Sequence, residues 1–81
     1  MTPAELEALR ERLEAAVSAV FDGSPATPLF ASRVEREVKD LLRRERRSAT
    51  VDVLDNGQLV RIRLRDRDRV RTLHLTVDAP G

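Results

Sequence analysis

The sequence predicts an α+β fold in which two helices pack on a three-stranded antiparallel β-meander, in the order α-α-β-β-β. Two observations lead to this prediction: apolar residues recur at helical spacing in the first half of the chain, and they alternate with polar residues in the second half. Turn-forming residues separate the segments at 22–25, at 56–57 and at 66–69. We expect a chain of 81 residues to form a single domain, residues 1–81.

The first helix is predicted over residues 3–21. Thr2 and Glu5 have the spacing of a capping box, and Pro3 suits the first helical turn. One apolar seam follows, made of Leu6, Leu9, Leu13, Ala16 and Val20. This seam suits packing inside the domain, and an adaptor that dimerises through the helix remains an open alternative.

The second helix is predicted over residues 28–46, because Thr27-Pro28 repeats the start signal. Its apolar face consists of Phe30, Val34, Val38, Leu41 and Leu42. Several arginines crowd the last turn, where cations interact favourably with the negative end of the helix dipole. The helix end alone therefore accounts for part of the arginine cluster.

A β-hairpin is predicted around Asn56-Gly57, with strands at about 49–55 and 58–65. Asn-Gly is the strongest short signal for a type I′ turn, because both central residues need a positive φ. If Asp55 pairs with Gln58, apolar residues face one another on one side of the hairpin. On its other face that register sets Asp52 opposite Arg61 and Thr50 opposite Arg63.

A third strand is predicted over about 70–77, with Arg65 opposite Val70 and His74 near Arg61 on the polar face. We expect a frayed tail over residues 78–81. The predicted core combines the apolar faces of all five elements: Leu6, Leu9, Leu13, Val17, Val20, Phe30, Val34, Val38, Leu41, Val51, Val53, Val60, Ile62, Leu64, Leu73 and Leu75.

Catalytic and cofactor chemistry find little support in the sequence. The chain has no cysteine and one histidine, His74, which excludes a thiolate site and a multi-histidine metal cluster. His74 with Asp52 or Ser48 is the only triad-like combination, and no nucleophile elbow or glycine-rich phosphate loop accompanies it. We expect no enzyme and no cofactor. No apolar run is long enough for a membrane span, so we expect a cytoplasmic protein or part of a particle assembled in the cytoplasm.

The charge is segregated along the chain. Residues 1–40 contain eight acids and five bases, a net charge of −3, whereas residues 41–81 contain six acids and ten bases, a net charge of +4. One hypothesis is therefore a small nucleic-acid-binding protein that uses the basic surface Arg43–Arg47 and Arg61–Arg71. Against it, the chain has no tryptophan or tyrosine on which bases could stack.

The favoured hypothesis is a non-enzymatic assembly module that binds protein partners, or copies of itself, through its strand edges. The first strand contains no proline and a single charge, so little in its sequence protects it against strand addition. Candidate partner-binding residues lie in the arginine cluster and on the polar hairpin face: Arg43, Arg44, Glu45, Arg46, Arg47, Thr50, Asp52, Arg61 and Arg63.

A family resemblance leads to the same hypothesis. The stretch "VEREVKDLLRRERRSATVDVLDNGQLVRIRLRDRDRVRTLHLTV", within residues 33–77, resembles the C-terminal part of the sheath-initiator (baseplate wedge) family of contractile phage tails and the related domain of tail sheath proteins. Glu45-Arg46-Arg47 stands where that family has Glu-Pro-Arg, with Arg46 in place of the proline. The resemblance implies strand exchange with neighbouring subunits, and it implies Glu45 and Arg47 as contacts between subunits.

Overall fold

The computed structural model describes residues 1–78 of the chain, so of the predicted tail only Asp78 is described. The elements are α1 (Pro3–Phe21), α2 (Pro28–Arg44), β1 (Ala49–Leu54), β2 (Leu59–Asp66) and β3 (Arg69–Thr76). The three strands form one antiparallel sheet in the order β1-β2-β3. This confirms the predicted α-α-β-β-β fold.

The start of α1 follows its sequence signal. Thr2 Oγ1 accepts a hydrogen bond from the Glu5 backbone N–H at 3.1 Å, with Pro3 in the first turn. The helix ends at Asp22, whose φ of 47° is left-handed. Its fully buried side chains recur every four residues: Leu9, Leu13, Val17 and Phe21. These four side chains pack inside the domain, whereas Leu6, Ala16 and Val20 of the predicted seam are only partly buried.

The end of α2 differs from the prediction, because the helix stops at Arg44 and not at 46. The Arg46 N–H donates to the Arg43 carbonyl at 3.0 Å, and the Arg47 N–H donates to the Leu42 carbonyl at 2.8 Å. These two bonds, with a φ of 57° at Arg46, form a Schellman motif, which terminates a helix in a left-handed residue. At the other end of α2, the Thr27 side chain makes no capping hydrogen bond.

Both predicted strand registers are confirmed. Asp52 lies opposite Arg61, and Arg65 lies opposite Val70. The first turn is longer than the predicted two residues, because pairing ends at Leu54 with Leu59 and leaves residues 55–58 in the loop. Asn56 and Gly57 have the positive φ that their sequence predicts, and Asp55 shares it. The strands therefore begin or end about one residue away from their predicted limits.

The core lies between the sheet and the two helices, with α2 over β1 and α1 over β3. Its buried side chains are Leu9, Leu13, Val17, Phe21, Val34, Val38, Leu41, Leu42, Val60, Ile62, Leu64, Leu73 and Leu75. Phe21 and Leu42 were absent from the predicted core. Five predicted members are only partly buried: Leu6, Val20, Phe30, Val51 and Val53. Val51 and Val53 lie on β1, where hollows between the strand and α2 leave the inward side chains partly exposed.

The turn at Gly57 joins the two layers of the fold. Gly57 is buried, and a Cβ atom there would lie 2.8 Å from Val34 Cγ2 and 3.3 Å from Phe21 Cζ. The Phe21 ring itself packs on Phe30, with ring centroids 4.9 Å apart. The turn thus packs against the Phe21 ring and the Phe30 carbonyl, and the φ of 95° at Gly57 adds a second reason for glycine.

Gly57→Ala is expected to lower the free energy of unfolding by about 2–3 kcal/mol, because the methyl group meets both the left-handed backbone and the Val34 side chain. Gly23→Ala is the matched control. Gly23 has a φ of 77° and no neighbouring heavy atom within 4 Å, so only the backbone cost of about 1 kcal/mol remains. Urea unfolding measures both values. An equal decrease in the free energy of unfolding for the two variants would show that the packing around Gly57 does not contribute to stability.

Candidate interaction surfaces

Glu45 and Arg47, two of the predicted partner contacts, pair with α1 of the same chain. The Arg12 guanidinium donates two hydrogen bonds to the Glu45 carboxylate, the one from Nε at 2.8 Å. The hydrogen bonds from Arg12 hold the pKa of Glu45 below its usual range. Arg47 Nη2 lies 4.0 Å from the Glu5 carboxylate. The loop after α2 is thereby tied to the first half of the chain.

The outer face of the sheet carries the predicted pairing of Asp52 with arginine. Asp52 Oδ2 accepts hydrogen bonds at 3.2 Å from Arg63 Nη2 and from Arg61 Nη2. These bonds, Arg63 first, hold the pKa of Asp52 below its usual range. One carboxylate therefore offsets part of the charge of two predicted site residues. Thr50, opposite Arg63, is exposed beside them.

Asp66 forms a cluster that sequence reasoning missed. The N-terminal amine of Met1 donates to Asp66 Oδ2 at 3.0 Å, and this bond lowers the pKa of Asp66. Arg71 Nε lies 3.4 Å from the same oxygen, in an ion pair without hydrogen-bond geometry. No sequence pattern indicates a contact between the N-terminal amine of Met1 and a carboxylate 65 positions away.

The fold divides the arginines into paired and unpaired groups. Within residues 1–78, seven of the fourteen arginines form no ion pair. Two of them, Arg33 and Arg36, lie on α2. The other five lie at the end of the molecule where α2 stops and β2 turns into β3, and we call them the basic end: Arg44, Arg46, Arg65, Arg67 and Arg69.

Among residues 1–78, no strand pairs with the outer edge of β1. The Arg65 N–H donates to the Ser48 carbonyl at 2.9 Å, and hydrogen bonding alternates along an antiparallel pair. The backbone groups of Thr50 and Asp52 therefore face β2, whereas those of Ala49, Val51 and Val53 point away from it. We call the backbone of these last three residues the open edge.

Two hollows follow the open edge between β1 and α2. The first has a volume of about 510 Å³ and is lined by Ala31, Ser32 and Glu35 of α2. The second has a volume of about 310 Å³ and is lined by Lys39, Leu42 and Arg43. Val51 borders both hollows. The opposite edge differs, because the inward side chains Leu73 and Leu75 of β3 are 6% and 0% exposed.

His74 and Asp52, the triad-like combination of the sequence, lie in one row across the outer face of the sheet with Arg61 between them. His74 is exposed on the outer face of β3, opposite Arg61, beside a shallow hollow that also borders Arg63 and Thr72. Among residues 1–78, no three histidine, aspartate or glutamate side chains come together in a way that could hold a metal ion. Neither described helix is long and apolar enough to cross a membrane.

Comparisons with known proteins find no significant match to the chain among protein-family models, curated proteins or solved structures.

The Glu45–Arg12 pair is expected to make stability depend on pH. The pKa of Glu45 is lowered in the folded chain, so its stabilisation is complete above the ordinary glutamate pKa and is lost as the pH falls through the lowered value. The stability difference between the parent and Glu45→Gln is therefore expected to be largest near neutral pH and to shrink below about pH 4. Urea unfolding at a series of pH values measures it.

The control repeats Glu45→Gln in an Arg12→Gln background. There the substitution is expected to change stability less at neutral pH and to depend less on pH, because the donor to the carboxylate is gone. A stability difference that is the same in both backgrounds would contradict the proposed coupling.

Proposed function

We propose that this chain is a non-enzymatic assembly module to which a partner adds a β-strand at β1. One observation carries the proposal: the backbone groups of Ala49, Val51 and Val53 face away from the sheet while their side chains remain only half-buried. A strand placed there would hydrogen-bond to the open edge and cover these side chains. These hydrogen bonds and this burial can form only at an edge whose backbone groups and inward side chains are not already covered by the domain itself.

The only charge on β1 does not guard this edge. Natural sheets often protect their edges with charged side chains, proline or bulges. Asp52 instead lies on the outer face, where Arg61 and Arg63 hold its carboxylate. The side chains that border the open edge on the helix side are alanine and valine. The approach from solvent therefore meets backbone groups and small apolar side chains of β1, with Glu35, Lys39 and Arg43 beside them on α2.

The position of α2 favours a single extended segment as the partner over a second copy of the chain. Neighbouring strands lie about 5 Å apart, whereas packed helices need about 8–10 Å between their axes. Because α2 lies over β1, a second copy pairing by its own β1 would bring its α2 too close to the first. Pairing through β3 meets the same obstacle from α1.

The added strand is therefore expected to carry no helix on its inner face. The hollows beside α2 leave space for its inward side chains, with the small residues Ala31 and Ser32 at one end. At the other end Arg43, whose side chain is 79% exposed, favours an acidic side chain or a terminal carboxylate, whereas Lys39 is already paired with Glu35 at 2.8 Å. The resemblance of residues 33–77 to sheath-initiator proteins points to a neighbouring subunit of a tail-like particle, assembled in the cytoplasm, as the source of this strand.

Val51→Pro tests the open edge without breaking the sheet. The Val51 N–H points away from β2, so proline removes a donor that only an added strand would use, and edge strands tolerate proline. Peptides selected from a random 12-residue library on the parent chain are expected to bind Val51→Pro at least tenfold more weakly. Isothermal titration measures the affinity, and urea unfolding confirms that the variant is folded.

Val51→Thr is the matched control, because it keeps the shape and the N–H group. We expect it to bind the selected peptides, and bound peptide should slow hydrogen exchange at the amides of Val51 and Val53. Peptides that bind the proline variant as tightly as the parent would refute strand addition at β1. A dimer that light scattering detects in the parent and not in Val51→Pro would keep strand addition and make a second copy the partner.

A further inference from the structure

The basic end gathers most of the unpaired positive charge of the described chain. Residues 43–48 and 65–71 contain eight arginines and three acids. The Arg65–Ser48 hydrogen bond places the loop after α2 beside the end of β2, so the two segments share one end of the molecule. Of these arginines, Arg47 lies near Glu5 and Arg71 near Asp66. Arg43 reaches only Asp40, at 3.7 Å, with 79% of its side chain exposed.

Two arginines of the basic end occupy backbone positions that favour glycine. Arg46 has a φ of 57° as the left-handed residue of the Schellman motif, and Arg67 has a φ of 60° in the turn between β2 and β3. Glycine is the usual residue at such positions, because a side chain there strains the backbone. The chain places a long cationic side chain at both, and neither side chain forms an ion pair with a residue in the range 1–78.

A hollow of about 430 Å³ lies next to this end of the sheet, between the start of β1 and the end of β2. The hydroxyl-bearing residues Ser48 and Thr50 line it together with Arg63 and Arg65. Hydroxyl and guanidinium groups are the side-chain donors that most often contact phosphate oxygens in nucleic acids. The hydroxyl groups of Ser48 and Thr50 therefore add uncharged donors for phosphate oxygens next to the basic end.

We propose that the basic end binds the phosphate backbone of double-stranded nucleic acid without reading its sequence. The choice of duplex rests on the aromatic residues: Phe21 is buried in the core, Phe30 packs against it, and no other aromatic residue exists in the chain. Without a stacking platform, single-stranded bases gain little from this surface. The hollow shares Ala49 with the open edge, but Arg46 and Arg67 line neither of the hollows beside α2. Variants at these two arginines therefore test this proposal separately from strand addition.

The double variant Arg46→Gly/Arg67→Gly tests this site. Glycine suits both backbone positions, so we expect the variant to unfold at the same or a higher urea concentration than the parent. Its affinity for a fluorescein-labelled duplex of about 20 base pairs, measured by anisotropy, is expected to fall roughly tenfold or more at about 0.1 M salt. The slope of log K against log salt should become shallower by about 1.8, because two phosphate contacts are lost.

The matched control is Arg33→Gln/Arg36→Gln, which removes the same charge from unpaired arginines on α2. We expect it to bind the duplex nearly as tightly as the parent, and we expect Val51→Pro to do the same. Equal losses in the two arginine double variants would overturn the proposal, because net charge alone would then explain the binding. Absence of duplex binding at about 50 mM salt, or tighter binding of the corresponding single strand, would also overturn it.

Discussion

The position of α2 over an edge strand is the constraint from which most of this structure follows. Two packed helices lie about 8–10 Å apart, which is also about the distance between the outer strands of a three-stranded sheet. The helices therefore lie over β1 and β3, and the inward side chains of the central strand become fully buried. The inward side chains of β1 are only partly buried although α2 lies over this strand, and the free backbone groups of β1 lie beside the two hollows along α2.

The strand registers followed from the sequence because two independent signals agree. The period-two alternation decides which face of each strand is apolar, and Asn56-Gly57 fixes where the hairpin turns. Limits of elements were less predictable. Helix α2 ends where Arg46 turns left-handed, and arginine is a good helix former that gives no stop signal. The longer turn depends on Gly57 fitting beneath Phe21 and Val34, which is a tertiary contact.

The sequence predicted what kinds of interaction surface the chain has, but it did not predict which residues belong to each surface. Sequence reasoning could identify an excess of arginine in the second half of the chain and an unprotected first strand. It could not decide which arginines pair, because Arg12 reaches Glu45 across 33 positions and Arg47 reaches Glu5 across the helix pair. The sequence also could not show which backbone groups of β1 face β2 and which face outward, since this follows from the observed hydrogen bond between Arg65 and Ser48. Arg61 and Arg63 are paired with Asp52 in the fold, so they are weaker candidates for binding a partner than the arginines of the basic end, which form no ion pair within residues 1–78.

The open edge also makes the chain prone to aggregation in the cell. An unpaired strand is a template for any extended chain, and the segment "SATVDVL" has the β-branched residues, low charge and lack of proline that promote cross-β association. If a partner strand covers β1 as proposed, copies synthesised in excess of that partner would be prone to aggregation and degradation. The abundance of the chain in the cell should then follow the abundance of the partner.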